Sequence, residues 1–389
     1  MQAEADIGKP TTHDGAPCSA PSCSVIIPVY NAAETLSLCL GSVTNLEYPE
    51  KKLEVIVVDN GSSDNTVEIA RQFRVKILSE TEVQSSYAAR NKGIREAKGD
   101  LIVFTDADCI VTPDWLKNLV TFWSDETIGC FAGEIEAYKP SSLVEVFSDR
   151  QGILRQSGTL NSPYLPYPQT ANAAYRKSVF DQVGLFVPEM TSGGDADIAW
   201  RMQKQLGLKI QFIPEALVYH KHRADLQGLY NQYNKYEYGK FFWTKSYPDY
   251  PFPTIEERRQ QLEGNIEALH YSLKDSVPLL AKDKIDFVEF VAPFLRMLMS
   301  AATFKARVDI AKNHQEMPEE TIATAISPAA PPARKPETEY DYRSIIETQE
   351  ETIRQQMQRI ADLESSLSWK VTAPLRRLCD LLLTPAQKR

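Results

Sequence analysis

Three short apolar runs, two of which lead into acids, constrain this chain more than any other feature. Ser24–Val29 (SVIIPV), Leu53–Val58 (LEVIVV) and Leu101–Phe104 (LIVF) are near-continuous and largely β-branched. Runs of that kind suit strands buried on both faces of a sheet. Between the first two, Leu36, Cys39, Leu40 and Val43 recur at helical spacing, the stripe of an amphipathic helix. Asp64 is placed to cap a second helix through Phe73, and Val75–Leu78 reads as another short strand. Thr112, followed by Pro113 at a first helical position, opens a helix with Trp115, Leu116, Leu119 and Trp123. Alternation of this sort predicts an α/β domain, a mostly parallel sheet flanked by helices, over residues 23–245.

The remainder of the chain is more varied. Tyr138–Tyr175 is rich in Ser, Pro and Tyr and is expected to loop over the sheet face. A helix from Asp195 to Leu206 should stop at Gly207, with a strand carrying Leu208, Ile210 and Phe212 closed by Pro214. Asp225–Lys245 holds a dense run of aromatics, which suits either a sugar-stacking surface or a helix packed on the core. With only Lys235, Lys240 and Lys245 interleaved, in place of the basic patch that a nucleic-acid surface would need, packing is the expected use. Residues 246–315 predict a C-terminal α-helical extension. Within it, Phe287–Phe304 is broken by Glu289, Pro293 and Arg296, an amphipathic helix more than a membrane span. Residues 316–340 form a proline-rich linker. In 341–389, Ile346, Ile353, Ile360 and Leu367 repeat every seven residues, with Leu363 at one d-like position and Gln349 and Gln356 at others. From Lys370 onward five basic residues face one acid, Asp380, an end suited to a membrane surface or a coiled-coil partner.

Charge and cysteine usage narrow the function class. The 43 Lys+Arg against 52 Asp+Glu leave net −9, which argues against a nucleic-acid partner. Six cysteines are too few for a disulfide framework, and Cys39, Cys109 and Cys130 lie in apolar segments, as buried thiols do. Cys18, Cys23 and His13 lack a fourth ligand for zinc, so residues 1–22 read as a disordered leader. No apolar signal core is visible there, which predicts a cytoplasmic protein, possible also on the cytosolic face of a membrane.

Four features point to one site. Asp59 follows its strand directly, and Asp106 and Asp108 follow theirs in FTDADC. Ligands of open α/β sheets bind beyond the carboxyl ends of the strands. Carboxylates delivered there are costly without a cation, and a D-x-D pair can share Mg²⁺ or Mn²⁺ with phosphate oxygens. In Ser85–Gly93 (SSYAARNKG), Arg90 and Lys92 suit a diphosphate or base edge, or else are exposed helix charges. In Thr191–Met202 (TSGGDADIAWRM), a glycine pair precedes Asp195, either an N-cap or a general base facing the crevice.

In this order, SVIIPVYN, VVDNGSSDNT, AARNKGIREAKGDLIVFTDADC, QTANAAYRKSVFDQVGLF, GGDADIAWRM and PEALVYHKH resemble glycosyltransferase family 2, inverting enzymes of GT-A fold. The resemblance runs from Cys23 to about Trp243. It implies a GT-A-like (Rossmann-like) fold, a UDP-, GDP- or dTDP-linked nucleotide-sugar donor, a divalent metal and a glycan or lipid-linked acceptor. Carried over by position, Pro28, Tyr30, Asn31, Asp59, Arg90, Lys92 and Asp106 would line the nucleotide-sugar pocket. Asp108, with Asp106 and His220, would hold the metal, and Asp195 would be the catalytic base. Asp197, Trp200 and Asn172 are acceptor-side candidates. Two departures stand out. Asn60 follows Asp59 where many relatives have a second acid, and Gly194 precedes Asp195 where many have Glu.

Two other classes compete. A non-catalytic nucleotide-sugar-binding scaffold would recruit partners through the C-terminal helices, yet it needs no base. A dinucleotide-dependent oxidoreductase would need G-x-G-x-x-G after the first strand, where SVIIPVYN stands instead.

Overall fold

The computed structural model describes residues 20–313. Residues 1–19 of the leader, the proline-rich stretch and the heptad segment lie outside the described residues. One eight-stranded sheet organises the domain. Its strands are β1 (Cys23–Val29), β2 (Leu53–Asp59), β3 (Lys76–Ser79), β4 (Leu101–Phe104), β5 (Cys109–Val111), β6 (Ile128–Ala137), β7 (Ala173–Arg176) and β8 (Lys209–His220). Their order is β3-β2-β1-β4-β7-β6-β8-β5. The first four are mutually parallel, β7 runs antiparallel to both β4 and β6, β8 is parallel to β6, and β5 is antiparallel to β8.

Burial of both faces explains the unbroken apolar runs. Val25, Ile27, Val29 and Val57 join one core cluster with Leu36, Cys39 and Leu40 of helix α1 (Leu36–Val43). Ile26, Ile56, Val58 and Phe104 join the other, beneath helix α3 (Ser86–Glu96); α2 (Thr66–Ala70) lies between these helices in sequence. The helix expected after Pro113 is shorter than its pattern. As α4 (Trp115–Leu119) it leaves Trp123 in the turn beyond it.

The region expected to loop is instead partly regular. It holds α5 (Leu143–Arg150), with a Ser142–Glu145 capping box, α6 (Gln156–Leu160) and most of β7. Strand β8 does not stop at Pro214. Its register against β6 shifts between the pairs at Ile213 and Val218, so the proline sits in an irregularity where no ladder N–H is needed. Gly133 of β6 lies there because a Cβ would stand 2.0 Å from the Ala216 carbonyl oxygen.

After α7 (Lys177–Val183), helix α8 (Gly194–Arg201) continues as a π-turn through Met202–Leu206 and ends at Gly207, whose φ of 66° is left-handed. The aromatic segment is α9 (Leu226–Ser246), with Phe241 and Trp243 buried as packing predicts. It is followed by α10 (Ile255–Leu280) and α11 (Phe287–Asn313). Among the described residues, Phe287–Ala311 alone is long and apolar enough to cross a membrane by length and composition, and 33% of its most apolar window is buried. Leu295 and Ala292 of α11 pack with Val144 and Phe147 of α5 and Leu229 of α9.

The topology contains its own closure. Strands β4 and β5 stand four places apart in the sheet, about 19 Å if it were flat. Only Thr105–Asp108 join them, a reach of roughly 17 Å from Phe104 to Cys109 even when fully extended. The sheet must therefore curl, and the segment that straps it closed is the one bearing Asp106 and Asp108.

Candidate active site

That strap lies where β1, β2 and β4 end, at the point where the chain order reverses direction across the sheet. Curling brings β5 against β8, and Cys109 faces His220 across the antiparallel ladder. His220 Nε2 consequently lies 3.4 Å from Asp108 Oδ1. Donor atoms of Asp108, Cys109 and His220 all fall within 4.8 Å of one another. His220 Nδ1 is buried without a partner. A carboxylate and an imidazole nitrogen at this separation fit a divalent cation.

On the inner side of the strap Arg90 Nη2 donates to Asp106 Oδ1 at 2.6 Å. Burial opposes the Arg90 charge, but the Asp106 and Asp195 carboxylates outweigh it and hold the guanidinium above its ordinary pKa. Burial also pushes the Asp106 carboxyl upward, Arg90 pulls it back, and Asp108 adds to the push. Asp106 thus has one oxygen committed to Arg90, which makes Asp108 and His220 the freer pair for a metal.

Around the ends of β1 and β2, short polar turns build a shallow floor. Asp59, 8% exposed, accepts from Ser62 N at 3.2 Å across Gly61, whose φ is 83°. Asn31, itself at φ 47°, accepts from Ser63 N at 2.8 Å, so the two loops hold each other. Pro28 is half-buried in β1 and Tyr30 is 52% exposed at the rim. Asn60 is not part of this surface. Its amide donates to the Glu80 and Val83 carbonyls at 2.7 and 2.9 Å, two bonds that a carboxylate at this position would not make. Lys92 is not brought to the strap either. It lines a shallow hollow with Glu80, Glu82 and Glu96 at the β3 edge.

Asp195 sits in the first turn of α8. Its Oδ1 accepts from the Tyr87 hydroxyl at 2.9 Å, and its Oδ2 from Thr170 N at 3.1 Å and Thr170 Oγ1 at 3.3 Å. It is no N-cap; that place belongs to Gly193, in the left-handed region at φ 82°. Burial, then the Asp195 carboxylate, push the Tyr87 phenol well above its ordinary value, so the hydroxyl keeps its proton and donates.

The three acceptor-side candidates are all buried. Asp197 is buried and bonded through Oδ2 to Arg201 Nε and Nη2 at 3.0 and 2.7 Å, and through Oδ1 to the Tyr247 hydroxyl. Trp200 is fully buried. Asn172, also fully buried, accepts from Trp115 Nε1 and donates to the Glu134 and Ala216 carbonyls. All three are bonded to partners within the protein. Sequence reasoning passed over Tyr87, Thr170 and Cys109, although each lies in or beside a quoted block. The available signals were the one-turn spacing of Tyr87 and Arg90, and Cys109 following the D-x-D pair.

Comparison with known proteins adds a family. Residues 24–184 match the model described as glycosyl transferase family 2. The chain is 40% identical over 185 residues to the glycosyltransferase AglE of Haloferax volcanii, covering 45% of this chain and 59% of that protein. It is 30% identical over 226 residues to a pre-mycofactocin glycosyltransferase of Mycobacterium tuberculosis, covering 54% and 46%. The chain thus spans about half the length of the curated relatives it matches. A solved mannosyltransferase, PcManGT from Pyrobaculum calidifontis in complex with GDP-Man and Mn²⁺, superposes with TM-score 0.49 at 20% identity over 81% of each chain. The sheet is curled and mixed, with helices on both faces and helices at its C-terminal side.

Proposed function

We infer the activity from one premise: residues 24–184 are a glycosyltransferase family 2 domain. On that premise the chain moves a sugar from a nucleotide-sugar donor to an acceptor hydroxyl with inversion, in assembly of a surface polysaccharide, glycolipid or glycan precursor. The supporting observation is that Tyr87 and Arg90, one turn apart on α3, join Asp195, held by neutral donors, to the strap where Arg90, Asp106, Asp108 and His220 cluster.

Asp59 and the Asn31–Ser63 turn would receive the base and ribose. Arg90, whose Nε is buried without a partner, would add a donor beside the diphosphate. Asp108 and His220, with the free oxygen of Asp106, would hold Mg²⁺ or Mn²⁺, which when bound supplies Lewis-acid neutralisation of the leaving diphosphate. Asp195 would take the proton of the attacking hydroxyl as the C–O bond to the anomeric carbon forms. Tyr87 and Thr170 keep that carboxylate oriented. We place this work at the cytosolic face of a membrane, with α11 and the basic C-terminal segment as the candidate contacts.

The test is Asp195→Asn. A panel of UDP-, GDP- and dTDP-sugars, screened for nucleotide release with Mg²⁺ or Mn²⁺, identifies a working donor. The variant should then lose about a hundredfold to ten-thousandfold in turnover, the range of a general base, while binding nucleotide as before. Wild-type transfer by the variant removes the base role, and a product of retained anomeric configuration removes direct displacement.

A further inference from the structure

Helix α3 carries Tyr87 and Arg90 one turn apart, so a single helix face addresses both Asp195 and Asp106. The Arg90 guanidinium also lies over the Tyr87 ring, 5.5 Å from its centroid. The helix is firmly seated. Asn91 exchanges two hydrogen bonds with the Phe186 backbone, at 2.8 and 3.0 Å, and the Tyr87 ring stacks on Phe186 at 5.4 Å.

The loop before Asp195 is shaped around the Tyr87 ring. The Gly194 N–H donates to the Tyr87 hydroxyl at 2.9 Å, so one phenol oxygen both accepts from Gly194 and donates to Asp195. A Cβ on Gly194 would lie 2.7 Å from Tyr87 Cε1. A Cβ on Gly193 would lie 2.7 Å from Trp243 Cζ2, and Trp243 Nε1 donates to the Gly193 carbonyl at 3.0 Å. The glycine pair is therefore clamped between two aromatic rings. Only residues without side chains leave room for the phenol to reach the carboxylate.

We propose that Tyr87 is a positioning residue for Asp195: its hydroxyl, admitted by Gly194, fixes the carboxylate's orientation toward the acceptor from the same helix that carries Arg90. The inference rests on Asp195 being the base. A carboxylate released from this bond would rotate about its side-chain torsions, and small misplacements of a reacting group cost much of its effect.

The experiment compares wild type, Tyr87→Phe, Asp195→Asn and the double variant in the full chain, using the donor found in the panel. Tyr87→Phe keeps the ring and its stacking. It should lower kcat about tenfold to a hundredfold, with donor KM within about twofold. In the double variant the loss should be no greater than in Asp195→Asn alone, since Tyr87 acts through that carboxylate. Gly194→Ala, which pushes the ring aside without removing the hydroxyl, should reproduce the kcat loss. Calorimetric binding of UDP and GDP and the thermal unfolding midpoint report whether each variant is folded.

Wild-type kcat in Tyr87→Phe, alongside an inactive Asp195→Asn, overturns the positioning role and leaves the base assignment standing. Multiplicative losses in the double variant also overturn it. Full turnover in Asp195→Asn removes the base reading and this inference with it.

Discussion

The two sides of the crevice use the same side chain in opposite ways. At the strap, Asp106 is paired to a buried guanidinium at 2.6 Å and Asp108 faces an imidazole at 3.4 Å. On the far side, the hydrogen-bond partners of Asp195 are a phenol, a backbone N–H and a threonine hydroxyl, all uncharged. A carboxylate committed to a fixed cation is an anion holder, since its protonation would strand the cation. One held by neutral donors is oriented with no salt bridge to break when it takes a proton. Asp197, two residues beyond Asp195, belongs to the first kind. Its bond to Arg201 is buried at both ends, with 5% and 9% side-chain exposure. The contrast predicts different losses when each acid is made an amide.

The largest effect outside Asp195, the proposed base, should come from Asp108→Asn. If the strap acid holds the cation, the variant loses charge where the diphosphate departs, a contribution of several kcal/mol. Turnover should fall about a thousandfold, with a matching loss of Mn²⁺-dependent nucleotide affinity by calorimetry. Unchanged Mn²⁺ dependence would erase the distinction between the two sides.

Asp197→Asn tests the contrast from the other direction. Arg201 also donates to the Leu185 carbonyl at 2.7 Å, so the variant leaves it a buried charge with carbonyl partners only. Stability should drop by about 3 kcal/mol, read as a fall in urea midpoint with unchanged slope. Turnover per folded molecule should stay within about twofold of wild type. A variant that is stable but inactive would return Asp197 to the acceptor side.

What the sequence made visible follows the same division. Strands β1, β2 and β4 were legible because burial on both faces leaves an unbroken apolar run. The acids at the ends of β2 and β4 were legible because an acid next to such a run has few structural uses. Strands β6 and β7 were not legible. Gly129 and Gly133 dilute the apolar signal of β6, and β7 is four residues of AAYR. Gly133 answers to the close Ala216 carbonyl and Gly129 to the side chains of Met202 and Leu208, neighbours that exist only after the later segments have been placed. The surroundings of the acceptor-side candidates were not legible for a related reason. Trp200 and Asn172 stand in informative blocks, but which way a side chain faces depends on partners such as Trp115 and Tyr247 far along the chain. Asp197 and Arg201 at i,i+4 did carry a local hint of pairing.

The smallest of these effects belongs to Asn60→Asp, which probes how the two sides share a support. The Asn60 amide ties the end of β2 to the Glu80 and Val83 carbonyls. Val83 in turn accepts from Ser85 N, and Ser85 caps α3 through Tyr87 N. Replacing the amide by a carboxylate sets an anion against two carbonyl oxygens and leaves both without their donor. The cost should be about 2 kcal/mol in urea unfolding, the penalty for unmade buried hydrogen bonds. Helix α3 carries both Arg90 and Tyr87, so the start of that helix should loosen toward both sides at once. Donor KM should therefore rise and kcat fall, each about twofold to fivefold, a smaller version of the effects of the direct variants. A rise in KM alone would mean that Asn60 supports only the donor side, and that Tyr87 keeps its place without it.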